Sequence, residues 1–339
     1  MTYIHYNGVM HKTDLKNLNL ASIEQSLNLP KFRAKQVFHW IHNKRVTSFS
    51  DMKNLPKELR DELDKEFYVF APKIIKTSKS KDGTIKYLLE LEDGSQIECV
   101  YLKDPYGRVT VCVSSQVGCA MNCGFCATAS LGFKRDLTVS EILSQVYLME
   151  NVSNVVFMGM GEPLLNYDNV LKAVHILNSK DGLEIGARKM TISTCGIVEG
   201  ILKLAVEDIQ VRLAVSLNSA IDDVRAGLMP IAKKYSVKDL KDSLFFYQRK
   251  AGRRATLEYV LLDGVNDSDD DLTALIEFCK GLKVNVNLIP YNEYGGKYKK
   301  SKRLKDFLSG LESAGIEAVM RISRGADIEA ACGQLAKRA

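Results

Sequence analysis

The sequence predicts an α/β protein in which a partial or full parallel βα barrel follows a small N-terminal α+β accessory domain. From residue 109 onward, short apolar segments typical of strands alternate with segments of helical periodicity. The first hundred residues instead carry two helical patterns followed by strands of alternating polarity. A turn-rich segment at 103–108 separates the two patterns. We therefore expect an accessory domain over 1–104 and a barrel domain over 105–339.

The accessory domain is predicted to contain two helices and a β-hairpin. Helical periodicity covers 31–43 and 56–67, and alternating strands cover 84–91 and 95–102. Asp93-Gly94 lies between these strands and is typical of a hairpin turn, because glycine readily adopts positive φ.

The barrel domain is predicted from six or seven repeated βα units. In a parallel barrel, the reactive groups lie on the loops that follow the carboxyl ends of the strands. The predicted strands cover 109–115, 153–158, 189–193, 210–216, 255–262, 284–289 and 316–321.

The composition indicates a globular protein, since 46% of the residues are hydrophobic. The apolar runs are far shorter than the ~20 residues that a membrane-spanning helix needs. The first ten residues lack the basic start and apolar stretch of a signal peptide. We expect a cytoplasmic protein that does not enter a membrane.

Basic residues form clusters on a chain whose net charge is only +6. The clusters lie at 31–45, 233–234, 253–254 and 297–305. They could contact phosphates of a nucleic acid, or they could simply be solvated surface.

Eight cysteines occur in the sequence, and their spacing favours metal ligation over a disulfide framework. Cys119, Cys123 and Cys126 form the pattern CxxxCxxC. Three thiolates on one short loop can hold three irons of a 4Fe-4S cluster and leave the fourth iron open. The open iron can chelate S-adenosylmethionine (SAM), and one electron from the cluster can cleave its sulfonium to a 5′-deoxyadenosyl radical.

Two other interpretations of these cysteines are a structural zinc knuckle and three unrelated thiols. A structural zinc ion usually has four protein ligands. No pair of Cys or His residues stands at a matching distance in the sequence. We therefore favour the iron–sulfur cluster.

A glycine-rich segment, 158–163, ends the second predicted barrel strand. Its glycines let the backbone approach a ligand closely, and Glu162 could accept a hydrogen bond from the SAM amino group. Taken alone, the segment would be an ordinary Gly-rich turn. Together with the cysteine loop, it indicates a SAM site.

These motifs resemble those of the RlmN/Cfr family of adenine methyltransferases. The resemblance rests on CAMNCGFC at 119–126, GMGEPLLN at 159–166 and RGADIEAACGQL at 324–335. CxxxCxxC marks radical SAM enzymes in general, whereas AACGQL near the C-terminus is far more specific to this family. RGxDI ahead of it resembles the RlmN branch rather than the Cfr branch. The resemblance covers nearly the whole chain and implies a barrel of the radical SAM type.

The resemblance implies a dual-specificity enzyme that methylates carbon 2 of one adenosine in 23S rRNA and of the adenosine beside the anticodon in some tRNAs. It also implies one 4Fe-4S cluster, two equivalents of SAM per turnover, and a low-potential electron donor of the flavodoxin or ferredoxin type. The accessory domain is then expected to contact RNA, and the protein is expected to be a monomer.

Three rival functions remain open. A Cfr-like enzyme would methylate carbon 8 of adenosine in 23S rRNA. The others are a non-catalytic RNA-binding protein with an iron–sulfur cluster and a radical SAM enzyme for small molecules. Cys332 disfavours these last two, because neither needs a thiol in a Gly-Gln-Leu tail.

Cofactor-binding residues follow from the resemblance position by position. It implies that Cys119, Cys123 and Cys126 bind the cluster. The family usually has Ser-Leu-His where this sequence reads Ser-Leu-Asn at 216–218, so a contact at the asparagine is either kept through its amide or lost. The implied SAM contacts are Gly161, Glu162, Ser193, Ser216, Leu217, Asn218 and Asn292.

Polar attack on a SAM methyl by an electrophilic amidine carbon is unfavourable, so the scheme implied by the family uses a radical. This scheme needs two more cysteines. Cys332 takes a methyl group from one SAM, and a second SAM gives the radical that removes hydrogen from that methyl. The methylene radical adds to the base. Cys112 then attacks the Cys332 sulfur, which releases the RNA and leaves a disulfide. Glu98 corresponds to the family's proton acceptor.

Without the family, Cys112 and Glu98 have simpler interpretations. Cys112 would be a buried strand cysteine, since valines flank it. Glu98 would be an exposed strand carboxylate.

Overall fold

The N-terminal part of the chain forms a small helical unit. The structure is a computed structural model that describes residues 12–336. The helices of this unit are α1 (Leu20–Leu27), α2 (Lys31–His42) and α3 (Lys57–Glu66). Helices α2 and α3 confirm the two predicted helices, whereas α1 has no counterpart in the sequence prediction.

A parallel pair of two-residue strands closes this unit. Strand β1 (Thr13–Asp14) pairs with β2 (Phe67–Tyr68). Ile23, Phe38 and Ile41 are buried against the core between the helices. The unit is therefore held by apolar packing as well as by strand pairing.

One sheet of ten strands extends through the rest of the chain, and its first four strands are antiparallel. The four strands are β3 (Lys73–Lys79), β4 (Ile85–Glu90), β5 (Gln96–Lys103) and β6 (Val109–Cys112). Strands β4 and β5 confirm the predicted hairpin, and Gly94 adopts a φ of 75° at its turn.

A separate antiparallel hairpin brackets the cysteine motif. It consists of β7 (Gln116–Gly118) and β8 (Phe133–Asp136). Neither strand pairs with the large sheet. The cysteine motif lies on the loop between the two strands.

Strand β6 is also the first of seven parallel strands, which confirm the predicted βα repeat. Each parallel strand pairs with the next one along the chain. The remaining strands are β9 (Asn154–Phe157), β10 (Met190–Thr194), β11 (Arg212–Ser216), β12 (Ala255–Leu261), β13 (Val284–Pro290) and β14 (Ala318–Met320). Over residues 12–336, β14 and β3 form the two edges, so the sheet is open and corresponds to a partial barrel.

Helices connect successive parallel strands. Thr138, Ser236 and Ser268 form capping boxes, which fix where α4, α8 and α9 below begin. Within the described part of the chain, no helix is long and apolar enough to span a membrane. The helices are α4 (Val139–Tyr147), α5 (Tyr167–Asn178), α6 (Val198–Leu204), α7 (Asp222–Leu228), α8 (Val237–Ala251), α9 (Asp269–Cys279) and α10 (Leu304–Ser313).

The predicted domain boundary falls in the turn between β5 and β6. These two strands pair from Val100 with Cys112 to Lys103 with Val109. Hydrogen bonds of the large sheet therefore cross the boundary. The division into domains at residues 104 and 105 stays a prediction.

Candidate active site

The cysteine loop is held at both ends by the β7–β8 hairpin. Gly118, just before the motif, has a φ of +76°, and a Cβ atom there would lie 1.8 Å from the carbonyl oxygen of Gly132. Cys119 donates its backbone N–H to that same carbonyl over 2.7 Å. Only glycine therefore fits at position 118.

The three cysteines of the motif line one cavity at the carboxyl ends of the parallel strands. No group of three His, Cys, Asp or Glu side chains within residues 12–336 is placed to hold a single metal ion. A cubane cluster binds each thiolate to a different iron, so its ligands do not converge on one point. Three thiols that lie on one loop and line one cavity fit such a cluster.

Burial disfavours the charged form of these thiols in the absence of a cation. It raises the pKa of Cys119 to about 11. It also raises the pKa of Cys123 and Cys126. Since metal-bound cysteine is a thiolate, the positive charge of bound iron would offset this effect of burial.

Six of the seven SAM contacts implied by the resemblance line the same cavity as the three cysteines. Leu217 is the exception, because it is fully buried and does not line the cavity. The six are Gly161, Glu162, Ser193, Ser216, Asn218 and Asn292. We call this space the cofactor cavity.

Several polar groups of the cofactor cavity already have protein partners. Glu162 is buried, which raises its pKa, and its oxygens accept from the backbone N–H groups of Leu164 at 3.0 Å and Cys195 at 2.8 Å. Asn218 accepts from the N–H of Val260 over 2.9 Å and adopts a positive φ of 55°. These bonds fix the orientation of both side chains.

The C-terminal tail folds back over the cysteine loop. Ala127 donates its N–H to the Gly333 carbonyl over 2.7 Å, and the Thr128 hydroxyl donates to the Leu335 carbonyl over 2.7 Å. Asn292 donates its amide to the carbonyl of Cys332 over 3.2 Å. These contacts bring Cys332 beside a loop that precedes it by two hundred residues.

Cys332 lies where two cavities meet. It lines the cofactor cavity and also a larger one of about 670 Å³. Cys112, Met158 and Arg321 line this larger space, which we call the substrate cavity. A volume of this size suits a ligand as large as a nucleotide.

Cys112 and Cys332 are both free thiols on the substrate cavity. Cys112 is a buried strand cysteine, as its flanking valines predict, yet it also faces the cavity. Burial and the neighbouring Cys332 raise its pKa to about 12, while the charge of Arg321 acts in the opposite direction. Cys332 is exposed.

Glu98 is buried rather than exposed, so the simpler interpretation of this residue is wrong. It forms an ion pair of 3.0 Å with Lys86 and accepts from the N–H of Ala336 over 2.8 Å. Val100 and Leu102 follow on the same face of β5 and line the substrate cavity, whereas Glu98 does not. Glu98 therefore lies beneath the tail, beside the cavity.

Sequence reasoning missed an ion pair between Arg321 and Glu258. The guanidinium of Arg321 lies 3.0 Å from the Glu258 carboxylate and 3.8 Å from the sulfur of Met158. The other carboxylate oxygen accepts from the hydroxyl of Ser193 over 3.2 Å. Glu258 is a charged residue within the apolar strand β12, and this could have indicated a buried partner for it in the sequence.

Comparisons with known proteins match two parts of the chain to family models. The family model of the Radical SAM superfamily matches residues 113–276, and that of the ribosomal RNA large subunit methyltransferase N-terminal domain matches residues 13–69. A probable dual-specificity RNA methyltransferase RlmN from Clostridium perfringens is 48% identical, with 90% of each chain covered. One of the same name from Thermotoga neapolitana is 48% identical over 95% of this chain and 96% of its own.

A solved structure resembles the whole fold. It is a radical SAM methyltransferase from Sphaerobacter thermophilus, with 41% sequence identity and a TM-score of 0.91. The match covers 95% of this chain and 99% of the other. The open parallel sheet and the accessory part are therefore both shared with that enzyme.

Proposed function

Because the chain belongs to the RlmN family of radical SAM RNA methyltransferases, we propose that it methylates carbon 2 of adenosine in 23S rRNA and in tRNA, at the adenosine beside the anticodon. The observation that carries the proposal is the position of Cys332 on both cavities. A thiol at this junction can receive a group on one side and deliver it on the other. The RGADI sequence at 324–328 favours carbon 2 over carbon 8.

Each cavity has a distinct part in this reaction. The cluster and SAM, when bound by the three cysteines and the other residues of the cofactor cavity, supply the methyl group and the radical chemistry. Two equivalents of SAM are needed per turnover, one as the source of the methyl group and one as the source of the radical. The residues of the substrate cavity then surround an unstacked adenine, since a base within a duplex cannot reach Cys332.

The two cavity thiols act in succession. Cys332 accepts the methyl group and carries it to the base, which leaves protein and RNA joined through a C–S bond. The radical adduct gives up one electron, which the cluster would take back when bound. The Cys112 thiolate then attacks the Cys332 sulfur, so an S–S bond forms as that C–S bond breaks. The freed methylene carbon keeps the electron pair of the broken bond and takes a proton from solvent to become the methyl group. Glu98, buried beside the substrate cavity, takes the proton that the base loses.

The electron that the cluster needs is proposed to come from a flavodoxin or a ferredoxin. The enzyme is proposed to act as a monomer in the cytoplasm. The accessory part contributes contacts to the RNA. The basic residues at 31–45 lie on α2 and on the turn that follows it, which suits binding to phosphates.

Mass spectrometry of nucleosides tests this function. The rRNA and tRNA are compared between cells with and without the protein, and 2-methyladenosine is expected in both RNAs only when the protein is present. Exclusive 8-methyladenosine would favour the Cfr-like activity. Binding of RNA without either product would favour a non-catalytic protein.

A further inference from the structure

An exposed tyrosine stands at the mouth of the substrate cavity. Tyr106 lies on the turn between β5 and β6, lines the cavity, and is 95% exposed. Large aromatic side chains usually bury most of their surface. A side chain so open to solvent, beside a cavity, is available to a ligand.

The turn that carries Tyr106 is held by its own hydrogen bonds. The Asp104 carboxylate accepts from the N–H groups of Tyr106 at 3.0 Å and Arg108 at 2.8 Å, and it forms an ion pair of 3.1 Å with the Arg108 side chain. Gly107 supplies the positive φ of 83° that the turn requires. The tyrosine is therefore presented on a pre-organised backbone, so binding loses little entropy to ordering of the turn.

A second segment at the mouth is tied to the same turn. Arg324 donates from its guanidinium to the carbonyl oxygens of Lys103 at 2.8 Å and Asp82 at 2.7 Å. Ile322, two residues before it, is 83% exposed and lines the cavity. The mouth therefore combines an aromatic ring and an aliphatic side chain with the fixed guanidinium of Arg324.

We propose that Tyr106 stacks on the base of the nucleotide next to the target adenosine. The proposal rests on the proposed RNA methylation. The target base must reach Cys112 and Cys332, so the exposed ring of Tyr106, which lines the same cavity, is left to meet the neighbouring base. Aromatic side chains commonly bind unstacked bases in this way, with little dependence on which base is present.

The test uses the full-length, cluster-loaded enzyme and an RNA stem-loop that carries the target adenosine. Tyr106→Ala removes the ring, Tyr106→Leu keeps an apolar side chain without a π face, and Tyr106→Phe keeps the ring. We expect the KM for RNA to rise roughly five- to hundredfold for the first two variants. Tyr106→Phe should stay within about twofold of the wild type, because its ring still stacks.

Fluorescence quenching of a base analogue reports stacking directly, and a purely structural role of Tyr106 would not change it. With 2-aminopurine placed beside the target adenosine, binding to the wild type and to Tyr106→Phe should quench the probe through stacking. Tyr106→Ala and Tyr106→Leu should quench it less. Iron content and SAM binding check folding, since Tyr106 does not line the cofactor cavity.

Methylation of the RNA by the wild type separates an error about Tyr106 from an error about the proposed function. If the wild type methylates the RNA and Tyr106→Ala has an unchanged KM and unchanged quenching, the stacking role is wrong. A fall in kcat alone would also overturn it, because it would place Tyr106 in the chemistry. If the wild type methylates no RNA at all, the proposed function itself fails.

Discussion

Glu98 accepts a hydrogen bond of 2.8 Å from the backbone N–H of Ala336, which joins strand β5 to the C-terminal tail. Glu98 also pairs with Lys86 at 3.0 Å, and Lys86 in turn donates to the carbonyl of Glu329 over 3.1 Å. Both side chains are buried. The pair therefore fixes the tail on either side of Cys332.

The buried pair predicts a large stability loss when only its anion is removed. Glu98→Gln keeps an oxygen for Ala336 but leaves the Lys86 charge buried without its carboxylate, which should lower the free energy of unfolding by about 3–5 kcal/mol. The double variant Lys86→Met/Glu98→Gln should recover part of this loss, because the unpaired charge is gone. Urea unfolding measures the free energy of unfolding of the single and the double variant. Equal stability of the single and double variants would contradict this account of the pair.

The same double variant also tests Glu98 as proton acceptor. It should take up the cluster and methylate Cys332, yet turn over RNA much more slowly than the wild type, because the base cannot lose its proton. Single-turnover assays of RNA methylation check this. Methylation at the wild-type rate would mean that a group other than Glu98 accepts the proton that the base loses.

The cluster ligands predict a selective loss of iron. Anaerobically reconstituted protein should hold about four irons and four sulfides per chain, and its absorption should change when SAM is added. Cys119→Ala, Cys123→Ala and Cys126→Ala should each lose most of this iron. Cys279→Ala, which removes a buried thiol on α9, is the matched control and should keep it. One zinc ion and no sulfide in active protein would remove the radical mechanism.

The two cavity thiols predict different points of failure. Cys332→Ala should abolish both methyl loading and RNA modification. Cys112→Ala should load the methyl group and join it to the base, but it cannot release the RNA. A denaturing gel should then show an upward shift of the protein that ribonuclease removes. The shift should be absent from the Cys112→Ala/Cys332→Ala double variant.

The raised pKa of Cys112 predicts how release of the RNA depends on pH. Burial is the largest cause of this rise, and it also acts in the adduct, where Cys332 is an uncharged thioether, so the thiol is almost entirely protonated near neutral pH. Since the thiolate attacks the Cys332 sulfur, the rate of release should rise about tenfold for each pH unit between about pH 7 and pH 9. Quenched-flow measurement of the protein–RNA adduct checks the slope. A plateau in this range would mean that another step limits release.

Arg321→Met provides the matched comparison for this slope. The charge of Arg321 lowers the pKa of Cys112, so its removal should raise that pKa further and slow release at each pH. The slope itself should stay the same. Faster release in this variant would contradict a role of Arg321 in favouring the thiolate.

The close approach at Gly118 predicts that two glycines of the same hairpin differ in their tolerance of alanine. Both Gly118 and Gly132 have positive φ, but only a Cβ at Gly118 would collide, 1.8 Å from a backbone oxygen. Gly118→Ala should therefore displace the cysteine loop and lower iron content well below that of Gly132→Ala. Iron and sulfide assays of the purified variants check this. Equal iron content in both would show that the hairpin can adjust.

The sequence by itself determined the repeated βα pattern and the local motifs. The strands predicted at 109–115 and 255–262, which form as β6 and β12, follow from short-range apolar patterning, and the hairpin at 93–94 follows from glycine at its turn. The cysteine motif is also local, because its three thiols lie within eight residues of one another. Such features depend on neighbouring residues, so a single chain reveals them.

Only the tertiary structure decided how distant segments meet. Sequence spacing could not show that Cys332 lies between two cavities or that Glu98 is buried with Lys86. It could not show that Arg321 pairs with Glu258 across two strands or that Tyr106 reaches the cavity mouth. These relationships depend on contacts between elements far apart in the chain, which form only when the sheet, the cysteine loop and the tail pack together.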